Sequence, residues 1–423
     1  NVETYKKKRG YFEANLIKIL EPSSNRIEPQ CDHFGVCGGC KWQNMSYETQ
    51  LHFKQKEVLH NLKKLSGMTL PEIDTIKSAP QSYFYRNKME YAFSNQRWLT
   101  HDEITDKSLV IEKKGLGFHK AGMWDKVVDI YKCHLQSEPA NEIRNSVKAF
   151  ALDHQLDFFN HRDQEGFLRS LMIRNSNRGE FMVLIQFFRE NKPQREGLLE
   201  HLKKHFDITS LLFCINTKAN DTIYDQEIIC YDGKTYITEE IEGLNFKINA
   251  KSFFQTNTEQ AYELYKIVRG FAGLKGDELI YDLYTGTGTI AQFLAKDCRK
   301  VIGVDSVPEA IEAAQINAEE NGIKNAFFEV GDMRKVFNQD FINRHGKADV
   351  VITDPPRNGM HPAVVKQLLF IEPDKIVYVS CNNATQARDL SLMKEQYRLV
   401  FSKAIDMFPQ TQHVENVVLL EKI

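Results

Sequence analysis

Cys381 stands where an apolar run stops. In "KIVYVSCNNAT" the chain passes through Ile376, Val377, Tyr378 and Val379 to Ser380, then the cysteine, then a helix start. A cysteine is ordinarily a small buried hydrophobe, but a thiol at a strand end is both rigidly aimed and open to a substrate. Comparable ends carry Asp305 of "VIGVD", Asp332 of "VGD" and Asp354 of "VVITDPPRNG". Glu415, in "FPQTQHVENVVLL", precedes the last apolar run, with His413 as a neighbouring candidate base. A thiolate can add to an electron-poor carbon, and a carboxylate can then take a proton from the adduct. Three more thiols, Cys31, Cys37 and Cys40, fall in "CDHFGVCGGC". That spacing, with glycines that let sulfurs converge, suits zinc completed by His33 or His52, or a [4Fe–4S] cluster with a distant fourth thiol.

The elements that must position these groups follow from periodicity. From about residue 278 the pattern alternates strand and helix: "ELIYDLYTG", "KVIGVDS", "PEAIEAAQINAEENG", "AFFEVGD", "ADVVITDPP" and "KIVYVSC". Continuous apolar strands separated by helices predict an α/β fold, a doubly wound and mostly parallel sheet with helices on both faces. The middle, residues 81–254, reads as an α+β domain with an antiparallel sheet and helical stretches around 138–155 and 190–205. Residues 31–80 hold the cysteine cluster and a polar helix from about Ser46 to Lys64. Residues 255–423 form the C-terminal domain, and residues 1–30 a short basic strand region.

The 423 residues are 42% hydrophobic and 26% charged, with 55 basic and 57 acidic side chains and a net charge of −2. This excludes a globally basic nucleic-acid binder but not a local basic face. No apolar run approaches the roughly 20 residues that span a bilayer, and "NVETYKKKRG" lacks the apolar core of a signal peptide. Eight cysteines, three clustered and five isolated, point to a reducing compartment. A cytoplasmic monomer is expected, with no membrane partner.

"DLYTGTGTIAQFLA" sets Gly286 and Gly288 in a turn between strand and helix, where a backbone can approach a ligand closely. Asp305, at the next strand end, can accept hydrogen bonds from ribose hydroxyls; Asp332 suits an adenine amino group. NAD would fit the same carboxylate, but the stiff Asp354-Pro355-Pro356 corner aims polar groups at a flat ring. This series of strand ends resembles class I (Rossmann-like) methyltransferases that bind S-adenosylmethionine. The corner continues with Arg357, where enzymes that methylate exocyclic amines usually carry an aromatic residue. Together with Cys381 it suits C5 of uracil, a carbon that becomes nucleophilic only after a thiolate adds at C6.

The pieces "CDHFGVCGGCKWQ", "LGFHKAG", "FFQTNT", "DLYTGTGTI", "DPPRNG", "YVSCNNATQARDL" and "DMFPQTQHVENVV" together resemble the RNA uracil-C5 methyltransferase family of the bacterial ribosomal and transfer RNA type, in its iron–sulfur branch. By position, the resemblance implies that Cys381 is the nucleophile and Glu415 the proton-abstracting base. Gln255, Tyr284, Asp305 and Asp354 would contact S-adenosylmethionine or hold the site, with Thr289 and Asp332 as further candidates. Asp305 stands where many relatives carry Glu, and Thr289 where some carry Asn. The resemblance also makes the cysteine cluster [4Fe–4S], with Cys133 of "YKCHLQ" as fourth ligand. It makes residues 1–30 the remnant of a small β-barrel RNA-binding domain. RNA contacts are expected from Lys41, Trp42, Arg86, Lys88, Lys113, Lys114, His119 and Arg357. The implied activity is methyl transfer to C5 of a specific uridine, in 23S rRNA because of the cluster motif. The alternatives are the T-loop uridine of tRNA, an amino-group methyltransferase, or an inactive RNA-binding protein.

Overall fold

The computed structural model describes residues 1–108 and 110–423. The chain begins with an antiparallel hairpin of β1 (Val2–Lys8) and β2 (Tyr11–Leu16), turning at Gly10 with φ 91°. Tyr5, Tyr11 and Phe12 on it are exposed. Helix α1 (Tyr47–Leu65) starts at Ser46, whose side chain accepts from the Thr49 amide, a standard N-cap. Its buried positions are Gln50, Lys54, Val58 and Leu62. The four-residue spacing lines them along one face. Val58 and Leu62 join the C-terminal core. The polar pair faces inward as well, so a helix that reads as polar is half-sunk in the protein.

The middle of the chain forms β3 (Lys88–Ser94), the short α2 (His101–Thr105), β4 (Gly115–Lys120), β5 (Met123–Asp129), α3 (Ala140–Asp153), β6 (Leu168–Asn175), β7 (Phe181–Phe187), α4 (Lys192–His205), β8 (Ser210–Ile215) and β9 (Ile229–Gly233). Its seven strands run in the order β5-β4-β3-β6-β7-β8-β9. All pairs are antiparallel except β7 with β8. That pair is parallel because α4 carries the chain back across the sheet between them, as a parallel crossover requires. A wholly antiparallel sheet, expected from the strand-like runs, is thereby corrected at one pairing.

The hairpin β10 (Tyr236–Ile241) and β11 (Leu244–Asn249) leads through α5 (Thr258–Ala272) into the last unit. That unit comprises β12 (Leu279–Leu283), α6 (Thr289–Ala295), β13 (Lys300–Asp305), α7 (Pro308–Glu320), β14 (Ala326–Val330), α8 (Gln339–His345), β15 (Val350–Thr353), α9 (Pro362–Ile371), β16 (Lys375–Ser380), α10 (Asn383–Ser391), β17 (Tyr397–Ile405) and β18 (Glu415–Lys422). The sheet order is β14-β13-β12-β15-β16-β18-β17. The strands from β14 to β16 are parallel, and β18 enters antiparallel between β16 and β17. This is the class I methyltransferase α/β fold. The direction of winding reverses between β12 and β15, and ligands of such sheets bind at the carboxyl ends beside that switch. Met182, Leu184 and Leu212 of the central sheet share one apolar core with Phe246, Leu264, Ile280 and Val377.

A second connection joins α1 to the segment between β17 and β18. Lys54 and Asp406, both with fully buried side chains, pair at 2.6 Å, and Lys54 Nζ also donates to the Phe408 carbonyl at 3.1 Å. Gln50 and Gln410 exchange two hydrogen bonds, at 3.0 and 2.9 Å. From the central domain, Tyr85 donates its hydroxyl to the Pro409 carbonyl at 3.0 Å. A buried charge left without its partner costs about 3–5 kcal/mol. Lys54→Met therefore lowers the unfolding free energy by about that amount in urea titrations, and Lys54→Met combined with Asp406→Leu recovers much of the loss.

Candidate active site

Every strand-end candidate of the last sheet lies at its carboxyl edge. After β12 the chain passes through three left-handed residues, and the two glycines among them serve different purposes. A Cβ on Gly288 (φ +74°) would sit 2.7 Å from the Phe328 ring, whereas one on Gly286 (φ +55°) would meet nothing within 4 Å. Gly288 thus lets α6 pack against the sheet, and Gly286 borders open space. Asp305 closes the turn: its carboxylate accepts from the Gly286 amide at 3.0 Å and from the Val307 amide at 3.0 Å. Tyr284 takes φ 63° and is half-buried. Asp282 is buried and accepts from the Thr285 hydroxyl at 2.5 Å; burial pushes its carboxyl up to about 7. Thr289 spends its hydroxyl on Tyr265 at 3.1 Å. Asp332 is gripped by Arg334 at 2.8 and 3.0 Å, which holds it down at about 2. Gln255 is fixed through its carbonyl, which accepts from Asn87 at 3.0 Å.

Cys381 and Glu415 come together through strand register. β16 and β18 pair from Lys375↔Glu421 to Ser380↔Asn416. Cys381 and Glu415 are the next residues past that last pair, one on each side, and Glu415 lies near enough to act on the Cys381 thiol. Asp354, one strand over, and Arg357 complete the group. Burial, then Glu415 and Asp354, push the Cys381 thiol up to about 11, against the pull of Arg357. Glu415 is pushed up to about 8 by burial and by Asp354, again eased by Arg357. Burial and Asp282 push Asp354 up to about 7. Several carboxyls crowd one cleft, so a cation entering it would lower all of these values. The loop carrying Arg357 is pinned. Its carbonyl accepts from Asn382 at 3.0 Å and Thr385 at 3.2 Å, and buried Asp389 holds the Met360 amide at 2.7 Å and the Tyr378 hydroxyl at 2.8 Å.

Residues 179–423 match the family model described as tRNA (uracil-5-)-methyltransferase. An RNA methyltransferase of Bacteroides thetaiotaomicron is 52% identical, covering 100% of this chain and 94% of its own length. The chain belongs to this family. An RNA methyltransferase of Porphyromonas gingivalis is likewise 52% identical, over 99% of this chain and 92% of its own. Among solved structures, the Pyrococcus abyssi tRNA (uracil-54, C5)-methyltransferase in complex with S-adenosyl-L-homocysteine superposes with TM-score 0.76 at 31% identity, covering 99% of this chain and 91% of that one. The protein is therefore an S-adenosylmethionine-dependent RNA (uracil-C5-)-methyltransferase. The site fits that donor: an open cradle at Gly286, an acceptor at Asp305, and a cleft of enclosed carboxyls suited to a cationic sulfur.

Membership does not extend to the iron–sulfur branch. Cys31, Cys37, Cys40 and Cys133 are free thiols bordering one cavity. Among the described residues, no group of three or more His, Cys, Asp or Glu side chains is placed to hold a metal ion. The expected [4Fe–4S] cluster, with Cys133 as fourth ligand, is overturned, and the zinc alternative with it. Their surroundings explain what they do instead. Cys133 is a buried member of the central core, with Cys37 and Cys40 packed against it. Burial pushes Cys37 up to about 11 and Cys40 up to about 12, the direction expected of thiols packed as small hydrophobes.

Of the residues expected to meet RNA, Arg86, Lys88, His119 and Arg357 border that same cavity. Lys114 instead donates to the Leu156 carbonyl at 3.1 Å. Sequence reasoning passed over Arg174, also on the cavity wall; the signal was an arginine closing the apolar run "LMIR". Among the described residues no helix is long and apolar enough to cross a membrane.

A Cβ at Gly286 would intrude on the open cradle. Gly286→Ala is expected to weaken S-adenosylhomocysteine binding about tenfold or more in calorimetry, while stability falls by only about 1–2 kcal/mol from the left-handed backbone. A carboxyl whose folded pKa is raised costs stability as pH climbs from its ordinary 4.5 towards about 8. Glu415→Gln removes that cost. Its Tm should exceed the wild-type value at pH 8, with the gap closing as pH falls towards 4.5.

Proposed function

We propose that Cys381 is the nucleophile and Glu415 the base in C5-methylation of the T-loop uridine of tRNA. The assignment is supported by the antiparallel β16–β18 register, which ends at Ser380↔Asn416 and leaves Cys381 and Glu415 as the next residues at the sheet edge. The thiolate forms a bond to C6 of the uracil, and the C5=C6 electrons move towards O4 as an enolate. S-Adenosylmethionine, when bound, supplies a methyl carbon on a cationic sulfur that the activated C5 can take. Glu415 removes the C5 proton, the C5=C6 bond re-forms, and the S–C6 bond breaks to release Cys381 as thiolate. Arg357 opposes the upward push on both groups, so it favours the thiolate and the carboxylate that the two steps require. Gly286, Asp305, Tyr284 and Gln255 would hold the donor, and Asp354 would face its charge. Thr289 and Asp332, whose side chains are engaged by Tyr265 and Arg334, would act at the margin of this site.

The tRNA reading is supported by the likeness to the Pyrococcus abyssi uracil-54 enzyme over nearly the whole chain. The rRNA expectation rested on the cluster motif, and it loses that footing. Purified protein incubated with a tRNA transcript should form 5-methyluridine at position 54. A transcript with cytidine at that position should take no methyl group, and 23S rRNA should be a poor substrate; the reverse order of substrates would favour the rRNA reading. Cys381→Ala should reduce methylation by at least about a thousandfold, and retained activity would sink the covalent route. Glu415→Gln should accumulate a protein–RNA adduct stable on a denaturing gel.

A further inference from the structure

Strand β6 reads as core, yet it ends in a buried cation. Arg174 is only 4% exposed. Its terminal nitrogens donate to the carbonyls of Asn249 at 3.2 Å and Ser252 at 2.7 Å. Its Nε is buried with no hydrogen-bond partner among the described residues. An orphaned donor on a buried guanidinium is costly, and none of the described residues supplies its acceptor.

The wall around it is cationic. The cavity, about 700 Å³, extends from the cysteine-bearing segment to Arg357 and His413. Arg86, Lys88 and Lys132 line it beside Arg174, against one lining carboxylate, Glu90. Glu90 pairs with Lys88 at 2.5 Å but is itself 61% exposed, so the pair is weak and exchangeable. Behind Arg174, Glu239 is buried and leaves one oxygen unpartnered. It is pushed up to about 7 by burial, which limits the charge it can offer. Lys88 is held below its ordinary value, first by burial and then by the nearby Arg174. Glu90 offsets both cations, but its carboxylate is largely exposed and leaves the Arg174 Nε unpartnered.

We infer that Arg174 and Lys88 form a phosphate subsite that takes a phosphodiester flanking the target uridine. The cavity runs to Arg357, beside Cys381, so an anion tethered to the reacting base arrives here by covalent connection. The inference rests on the proposed site at Cys381 and names how the RNA strand is held there. The competing anion is the carboxylate of the methyl donor.

The test uses the full-length protein and a T-arm stem–loop RNA, either unmodified or with methylphosphonates replacing the two phosphates that flank the target uridine. Lys88→Gln is the main variant, because Arg174 also holds two carbonyls and its loss could disturb folding; Arg174→Lys, which keeps the charge, is the companion. Lys88→Gln should weaken binding of unmodified RNA about tenfold and reduce the slope of log K against log salt by about one. It should add nothing to the loss already caused by the methylphosphonates, and S-adenosylhomocysteine affinity should not change. An unchanged salt slope, or equal losses on both RNAs, would overturn the subsite. So would a loss confined to S-adenosylhomocysteine, which would assign the anion to the donor. Absence of 5-methyluridine formation by the wild-type protein is a different failure, that of the proposed function.

Discussion

The antiparallel entry of β18 between β16 and β17 is the constraint on which the site depends. In a sheet of parallel strands, carboxyl ends gather at one edge and amino ends at the other. Only a strand running the opposite way can bring its amino end to the carboxyl edge. Glu415 is the first residue of β18 and Cys381 the first after β16, so the reversal brings the two to the same edge of the sheet. Because the side-chain period of a strand is two, a slip of one residue would turn either group to the opposite face. Val417, Val418, Leu419 and Leu420 are all buried, so both faces of β18 are covered and its register must satisfy the packing on each.

That register needs the preceding segment to be held, and residues from distant parts of the chain hold it. Asp406 meets Lys54 of α1, its carbonyl accepts from Gln260 at 2.8 Å, and the Met407 carbonyl accepts from Asn257 at 3.0 Å. Gln410 adopts φ 69°, an unusual conformation for a residue with a side chain, and its backbone and side chain are both bonded to Gln50. The N-terminal region thus shapes the catalytic edge from outside the last domain, through polar contacts buried where two units meet.

Much of this architecture is legible in the sequence because it is local. Apolar runs broken by Gly, Pro and Asp mark the strand ends of the last sheet, and Asp305, Asp354 and Cys381 sit where the runs stop. The pairing of β18 is not legible, since strand order depends on which faces pack and not on any one run. Lys54 and Gln50 read as surface residues because a burial partner distant in sequence leaves no periodic trace, and Arg174 reads as a strand terminus for the same reason. The parallel β7–β8 pair is hidden in the packing of α4. The cysteine spacing misled in the opposite sense: a spacing that suits a cluster does not fix the ligand geometry, and Cys37, Cys40 and Cys133 pack with an apolar core.

The core shared by the central and C-terminal sheets has a mechanical consequence. Met182 and Leu184 lie in the same apolar cluster as Ile280 and Val377, and such interiors are packed at crystal-like density. Interiors of that density have low compressibility and transmit strain, so a load applied at one sheet is felt at the other. The cysteine-bearing segment, the central sheet and the carboxyl edge of the last sheet are in that sense mechanically coupled.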